Sequence, residues 1–175
     1  MKRWIKIFVL EFTDEKITLF NKKRKKIIEE EIPNNLIVKN KIYDFVKLED
    51  TIYKIINKNN IIKNFFKTEI KILVYEKITP AEEYLYKKLF DSISNVNVKL
   101  VFVNNLLDGD NHIFVCGKEI YYQQNILKEL VNRDNEYILV GNSDKLELIK
   151  DKLIKRFKIN ILLYENSNTI LFEKA

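Results

Sequence analysis

The chain of 175 residues is long enough to bury a hydrophobic core, and 46% hydrophobic with 32% charged residues is a globular composition. Three glycines and two prolines are too few for loops such as GxxxxGK[ST] or GxGxxG, and a single cysteine excludes an internal disulfide. The net charge of +6 comes from 27 Lys and only 4 Arg, while Ile (26) and Asn (20) are also abundant. Because specific nucleic-acid contacts favour arginine, this composition indicates an AT-rich genome and no specific nucleic-acid partner.

The first part of the chain predicts the order strand, strand, strand, helix, strand, helix, strand. The predicted elements are strands at 4–11, 16–20, 24–32, 69–76 and 96–103, and helices at 47–57 and 79–93. In the first helix, Leu48, Ile52, Ile55 and Ile56 form one apolar stripe. The second carries the strongest local signal of the chain. Its start is marked by Thr79 as the N-cap, Pro80 at the first helical position and Glu82, which completes a capping box. Its predicted apolar stripe consists of Ala81, Leu85, Leu89 and Ile93. The order predicts an antiparallel meander extended by right-handed parallel crossovers.

The polar stretch NNLLDGDN (Asn104–Asn111) is the predicted lobe boundary and divides the chain into a first lobe, 1–106, and a shortened second lobe, 107–175. The elements predicted after it are strands at 112–116, 118–122, 136–140, 159–164 and 169–173, and helices at 123–133 and 144–157. The second of these helices is expected to be capped and to turn Leu146, Ile149, Leu153, Ile154 and Phe157 inward.

The segment MKRWIKIFVLEF resembles the start of a signal peptide but lacks a cleavage site of small residues, and its alternation continues into a second strand. No stretch approaches the ~18 apolar residues of a membrane span. We therefore expect a buried first strand and a cytoplasmic protein. Peripheral membrane association through Trp4 and Phe8 is the alternative.

Three segments together resemble the bacterial actins of the MreB type. The segment at 40–56 is similar to the run that enters a helix in that family. The segment at 71–105 is similar to its threonine-capped helix and flanking strands, and the segment at 137–165 to its last glycine turn, helix and strand. The resemblance implies an α/β protein with an actin-like (ribonuclease-H-like) βββαβαβ core followed by a second, smaller α/β unit.

The nucleotide-binding loops of that family are degenerate in this chain. The first phosphate loop falls on Leu10–Asp14, where Glu11, Thr13 and Asp14 at the bend are the candidate residues and no glycine is present. The second loop has no counterpart, and its nearest remnant is Asp108-Gly109-Asp110. The triple glycine on the adenosine side is reduced to Gly141-Asn142-Ser143. The chain is also shorter than that family's members, which implies that the outer subdomains are missing.

From the resemblance and its departures we predict a pseudo-ATPase, a non-catalytic cytoskeleton- or cell-shape-related module that binds a protein partner or itself. It is expected to need no cofactor. The reason is that the backbone cradle that holds phosphate in that family has lost its glycines. Binding of ATP with Mg²⁺ is the alternative.

A second class of function comes from the nuclease side of the same superfamily, where carboxylates bind two divalent metals for phosphodiester cleavage. Glu11, Glu76 and Asp108 (or Asp110) are the carboxylates at strand ends that could form such a set. A metal-dependent nuclease or nucleic-acid-binding protein is therefore the alternative function.

The remaining reactive or charged residues favour structural roles. His112 is expected to be an ordinary surface or half-buried residue and Cys116 a small core residue. Asn142, Ser143 and Asp144 form a helix start that could take an anion, although capping explains them. The aromatic pairs Tyr121–Tyr122 and Phe65–Phe66 are expected in the core, and the run KKRKK (22–26) on a solvated strand edge.

Overall fold

The computed structural model describes residues 5–21, 26–62, 67–130, 135–164 and 170–175. The chain divides into two compact units. Unit 1 comprises residues 1–73 and 78–101, and unit 2 comprises residues 74–77 and 102–175. Trp4, the pair Phe65–Phe66 and most of the KKRKK run lie outside the described residues.

Unit 1 contains a five-stranded sheet, a small hairpin and two helices. In chain order the elements are β1 (Ile5–Phe12), β2 (Lys16–Asn21), β3 (Lys26–Glu31), β4 (Ile37–Val38), β5 (Lys41–Ile42), α1 (Phe45–Lys58), β6 (Lys67–Val74), α2 (Pro80–Lys88) and β7 (Val96–Phe102). The strand order of the sheet is β3-β2-β1-β6-β7. Strands β1, β2 and β3 pair antiparallel and β6 runs parallel to β1, as the meander with a crossover predicted.

The core of unit 1 forms where α1 packs on one face of this sheet. Alternate residues of β1, Phe8, Leu10 and Phe12, belong to the same buried cluster as the α1 residues Leu48 and Ile52. The predicted stripe of the first helix is thereby confirmed, with Ile56 buried and Ile55 partly buried beside it. Side chains on one face of a strand recur every two residues and those on one face of a helix recur about every 3.6 residues, so the two apolar faces can pack together.

The edge strand β3 carries paired charges. The Lys26 and Lys16 ammonium groups lie 3.1 Å and 2.9 Å from the Glu29 carboxylate, and hydrogen bonding from Lys16 and then Lys26 lowers the pKa of Glu29. Charged side chains on an edge strand discourage pairing with another chain. Lys26 therefore fits the solvated edge predicted for the KKRKK run.

Helix α2 starts as predicted, and part of its predicted apolar stripe is buried. The Glu82 N–H donates to Thr79 Oγ1 (3.2 Å) and the Thr79 N–H donates to Glu82 Oε2 (2.6 Å), which is the predicted capping box. The helix ends at Lys88, earlier than predicted, and Ala81 is exposed. Of the predicted stripe, Leu89 is buried and Ile93 packs partly buried against the core, and Tyr86 and Phe90 are buried as well.

The capping box predicts a pH-dependent contribution to stability. The Thr79 backbone N–H, and after it the Lys41 ammonium, lower the pKa of Glu82 from its ordinary 4.5. A depressed folded-state pKa stabilises the fold above the unfolded-state pKa, and this stabilisation is lost as the pH falls through the folded-state pKa. At neutral pH we expect Glu82→Gln to lower the free energy of unfolding by up to about 1 kcal/mol, because the amide can keep the capping-box hydrogen bond but loses the charge that strengthens it and pairs with Lys41.

The measurement is the melting temperature of both proteins from neutral pH to below 4.5, the ordinary pKa of Glu82. The difference between them should close as the pH falls. Glu83→Gln is the matched control, because Glu83 pairs with Lys87 on the exposed side of the same helix. A gap that stays constant with pH, or equals that of the control, contradicts this assignment.

Unit 2 repeats the sheet order of unit 1. After a 3₁₀ turn (Val103–Asn105), its elements are β8 (His112–Cys116), β9 (Glu119–Tyr122), β10 (Asn125–Ile126), β11 (Glu136–Gly141), α3 (Leu146–Phe157), β12 (Asn160–Leu163) and α4 (Ile170–Lys174). The strand order is β10-β9-β8-β11-β12. Strand β8 pairs antiparallel with β9 and parallel with β11, and β11 pairs parallel with β12.

The core of unit 2 lies between this sheet and α3. Leu146 and Leu153 are buried, and the other predicted inward residues, Ile149, Ile154 and Phe157, are partly buried against the same cluster. Tyr121 is fully buried, as expected of a core aromatic residue, and Tyr122 is partly buried. Within the described part of the chain, no helix has the length and apolar character needed to cross a bilayer.

Two predicted elements of unit 2 are wrong. In place of a helix from residue 123, Gln123 and Gln124 form a turn with positive φ (48° and 61°) that returns β10 along β9. The end of that predicted helix, 131–133, lies outside the described residues. In place of a strand at 169–173, Ile170–Lys174 is a helix with three consecutive buried residues, and such a short apolar run fits either element.

Candidate functional site

The first hairpin turn is closed by a hydroxyl group. Thr13 Oγ1 accepts hydrogen bonds from the N–H groups of Glu15 (3.3 Å) and Lys16 (3.0 Å), and it donates to the Lys16 carbonyl (3.2 Å). The Thr13 N–H also donates to the Lys16 carbonyl at 3.0 Å. Thr13 is 4% exposed, so its polar atoms serve the turn. Side-chain bonding of this kind makes a tight turn without glycine.

Glu11 does not lie at the bend, where the sequence placed it. It is a residue of β1, 1% exposed and opposite Thr18 of β2. The strand continues through Phe12, so Glu11 points to the face opposite the Leu10 and Phe12 side chains. A carboxyl group buried to this degree needs partners within the protein, and Glu11 has an interaction of this kind.

Asp14 is bound to its own chain. Its Oδ1 accepts a hydrogen bond from the Asn40 N–H (2.7 Å) and its Oδ2 accepts one from the Lys39 N–H (3.0 Å). Lys39 and Asn40 form the two-residue turn between β4 and β5, and both have positive φ (52° and 60°). Both carboxylate oxygens at the position of the first phosphate loop are thus engaged by backbone N–H groups.

The turn that Asp14 binds is also held from α2. The Tyr86 hydroxyl donates to the Asn40 carbonyl (3.0 Å), and the Lys41 ammonium lies 3.0 Å from Glu82 Oε1. The Tyr86 ring lies 6.3 Å from the Phe12 ring, centroid to centroid. These contacts join the two turns and α2 into one polar network within unit 1.

Gly141 has a packing role in unit 2. It ends β11 and pairs with Val115 of β8. A Cβ atom at Gly141 would lie 2.8 Å from the Val115 Cβ and closer still to the Val115 carbonyl oxygen. Because side-chain carbons do not approach backbone this closely, the pairing of β11 with β8 itself requires glycine here.

The residues after Gly141 form a turn before α3. Ser143 Oγ accepts a hydrogen bond from the Lys145 N–H at 3.2 Å, and Asp144 is exposed. Helix α3 begins at Leu146, later than predicted, and its N-cap residue Lys145 makes no side-chain capping bond. The predicted side-chain cap is therefore wrong, because the hydroxyl of Ser143 reaches only into the preceding turn. Asn142 is partly buried beside it.

The repeated sheet order reveals a turn that the sequence reasoning missed. In unit 1 the turn at Thr13 joins the first two strands, and in unit 2 the corresponding turn joins β8 and β9 at Gly117–Lys118. Gly117 has a φ of +60°. The Gly117–Lys118 turn of unit 2 is thus the topological equivalent of the Thr13 turn of unit 1. A glycine between two short predicted strands was the signal that could have located it.

The carboxylates of the nuclease alternative do not form a metal-binding set with their neighbours. Asp108 and Asp110 are exposed, and Glu76 is partly buried. Among the described residues, no three or more His, Cys, Asp or Glu side chains are grouped so that they could hold a metal ion.

His112 and Cys116 are core residues of β8. His112 is 5% exposed, with Nδ1 3.2 Å from the Gly109 carbonyl oxygen and its ring beside Phe114. It also lines a small polar cavity of ≈ 30 Å³ with Asn104 and Asp110. Cys116 is a buried thiol, 1% exposed, that forms no disulfide.

The two sheets define the class of the fold. Each has two antiparallel hairpin connections followed by parallel strands on the other side of its first strand, which is the ribonuclease-H-like arrangement that actin-like proteins contain twice. The chain has an actin-like α/β fold with a second, smaller unit.

Particular solved structures share this fold. MreB5 of Spiroplasma citri bound to ADP superposes with a TM-score of 0.63 at 8% identity, covering 99% of this chain and 95% of that chain. The ethanolamine utilization protein EutJ from Carboxydothermus hydrogenoformans gives 0.58 at 5% identity, covering 95% and 87%. No protein-family model and no curated protein sequence matches the chain. At these identities the likeness concerns the fold alone.

Proposed function

We propose that this chain is a non-catalytic, actin-like module that acts by binding a protein partner or by self-assembly, in a cytoskeletal or cell-shape role. It works without nucleotide, and the cytoplasm remains its predicted compartment. The observation that supports this most directly is Asp14, whose two carboxylate oxygens accept hydrogen bonds from the Lys39 and Asn40 N–H groups. A carboxylate held in this way has less capacity to position a metal or a phosphate.

The other residues of the degenerate loops support the same proposal. The Thr13 hydroxyl is hydrogen-bonded within its own turn, and Gly141 lies in close contact with Val115. Phosphoryl transfer depends on a backbone cradle with a metal-holding carboxylate. In this chain the residues at these positions maintain turns and strand pairing. The nuclease alternative has less support, because no group of acidic or metal-binding side chains among the described residues could hold a metal ion.

The test is equilibrium binding of ATP and ADP with Mg²⁺ to the purified protein, by calorimetry with a parallel melting scan. We expect no binding heat and no rise in melting temperature at millimolar nucleotide. MreB5 of Spiroplasma citri, whose solved structure holds ADP, is the positive control. Binding at micromolar nucleotide contradicts the proposal and makes an actin-like ATPase the leading hypothesis.

The interaction half of the proposal has its own measurement. Sedimentation velocity over a wide range of protein concentration reports self-assembly, and affinity capture with the full chain from a native lysate reports a partner. A protein that stays monomeric at all concentrations and captures no specific protein contradicts this half of the proposal.

A further inference from the structure

We propose that the β4–β5 turn is an oxyanion-binding site that Asp14 occupies as a built-in ligand, and that an external carboxylate or phosphate binds this turn once the Asp14 carboxylate is removed. This inference does not rest on the proposed function. It concerns contacts of unit 1 that hold whether or not the protein binds nucleotide.

The geometry of the turn carries the proposal. Two successive N–H groups, those of Lys39 and Asn40, converge on the two oxygens of one carboxylate at 3.0 Å and 2.7 Å. Successive backbone N–H groups in a turn conformation form concave sites for anions. Hydrogen bonds from N–H groups to an ionised acceptor are also stronger than those between neutral groups.

The N–H groups are available because of the turn type. The hairpin pairs Val38 with Lys41 and Ile37 with Ile42, so Lys39 and Asn40 are the loop residues outside the ladder. Their φ values of 52° and 60° are those of a two-residue turn that follows the twist of the hairpin. In this conformation the peptide N–H groups of the loop point away from the strands toward Asp14.

The turn has supports that do not involve Asp14. The Tyr86 hydroxyl holds the Asn40 carbonyl at 3.0 Å, Lys41 pairs with Glu82, and the Ile37 side chain is 2% exposed in the core. Removal of the Asp14 carboxylate should therefore leave the hairpin folded and its two N–H groups open to solvent.

The experiment compares wild type, Asp14→Ala and the control Asp50→Ala, whose carboxylate pairs with Lys54 on the exposed face of α1. Each protein is titrated with sodium phosphate and, separately, acetate, against chloride at equal ionic strength. The readouts are the melting temperature and the ¹⁵N–¹H signals of Lys39 and Asn40. We expect Asp14→Ala to melt about 2–4 °C below wild type and phosphate to restore this loss in a saturable way. The two amide signals should shift with the same midpoint.

Wild type and Asp50→Ala should show neither the saturable stabilisation nor the shift of these two amides. A folded Asp14→Ala variant whose Lys39 and Asn40 amides do not respond to either anion overturns the proposal. If Asp14→Ala does not fold, Asp14→Gly, which also leaves no acceptor at the turn, is titrated and the same readout decides. Because these titrations contain no nucleotide, their failure leaves the nucleotide test of the proposed function unaffected, and the reverse also holds.

Discussion

Gly141→Ala is expected to lower the free energy of unfolding by about 1–3 kcal/mol, or by more if the strands cannot separate slightly. The physical reason is a steric one, since the new Cβ would lie 2.8 Å from the Val115 Cβ and closer still to the Val115 carbonyl oxygen. The contact involves backbone in a paired strand, which cannot rotate away as a flexible side chain could. The measurement is urea-induced unfolding followed by circular dichroism.

Ser143→Ala is the matched control, two residues further along. It removes one hydrogen bond to the Lys145 N–H and should cost about 0.5–1.5 kcal/mol at most. If Gly141→Ala is as mild as the control, the glycine is not required by the pairing of β11 with β8, and the nucleotide-loop interpretation of Gly141 regains support. An unchanged denaturant slope would show that both variants unfold from the same native state.

Leu48→Ala is expected to destabilise unit 1 by about 2–5 kcal/mol, the usual cost of truncating a buried leucine. Leu48 is 0% exposed and belongs to the cluster that joins α1 to the sheet face of Leu10 and Phe12. The loss combines the transfer free energy of the removed carbons with that of the cavity they leave.

Val46→Ala on the same helix is the control, because Val46 is 72% exposed and its truncation should change stability by about 0.5 kcal/mol or less. Both are compared with wild type by urea unfolding and by the melting temperature. Equal effects of the two substitutions would mean that α1 does not pack through Leu48, and the placement of the helix on the sheet would be wrong.

The sequence by itself determined the elements whose signals are local. The capping box at Thr79 and Glu82 needs residues three positions apart, and the α1 stripe needs residues within two turns. Periodicity and element order then predicted the meander and the crossover, and the resemblance to the MreB-type actins implied the actin-like fold class. Strand β1 continues through Phe12, so Glu11 is buried within the strand and does not lie at the bend.

Local signals failed where a short stretch fits more than one element. Residues 123–130 have helix-compatible composition, yet pairing of β10 with β9 takes precedence. The run Ile170–Phe172 is apolar enough for a strand or a helix and is a helix. In both places the conformation depends on a partner strand or a packing surface, and neither can be seen in the neighbouring residues of the sequence.

The tertiary structure alone decided what the candidate site residues do. Asp14 contacts residues 25 and 26 positions away in the chain, and Gly141 is constrained by Val115 on a neighbouring strand. The sequence marks both positions as remnants of phosphate loops, because a residue type reveals what a side chain can bind. It does not reveal which group the fold brings within hydrogen-bonding or van der Waals distance, and that distance is set by chain segments far apart in sequence.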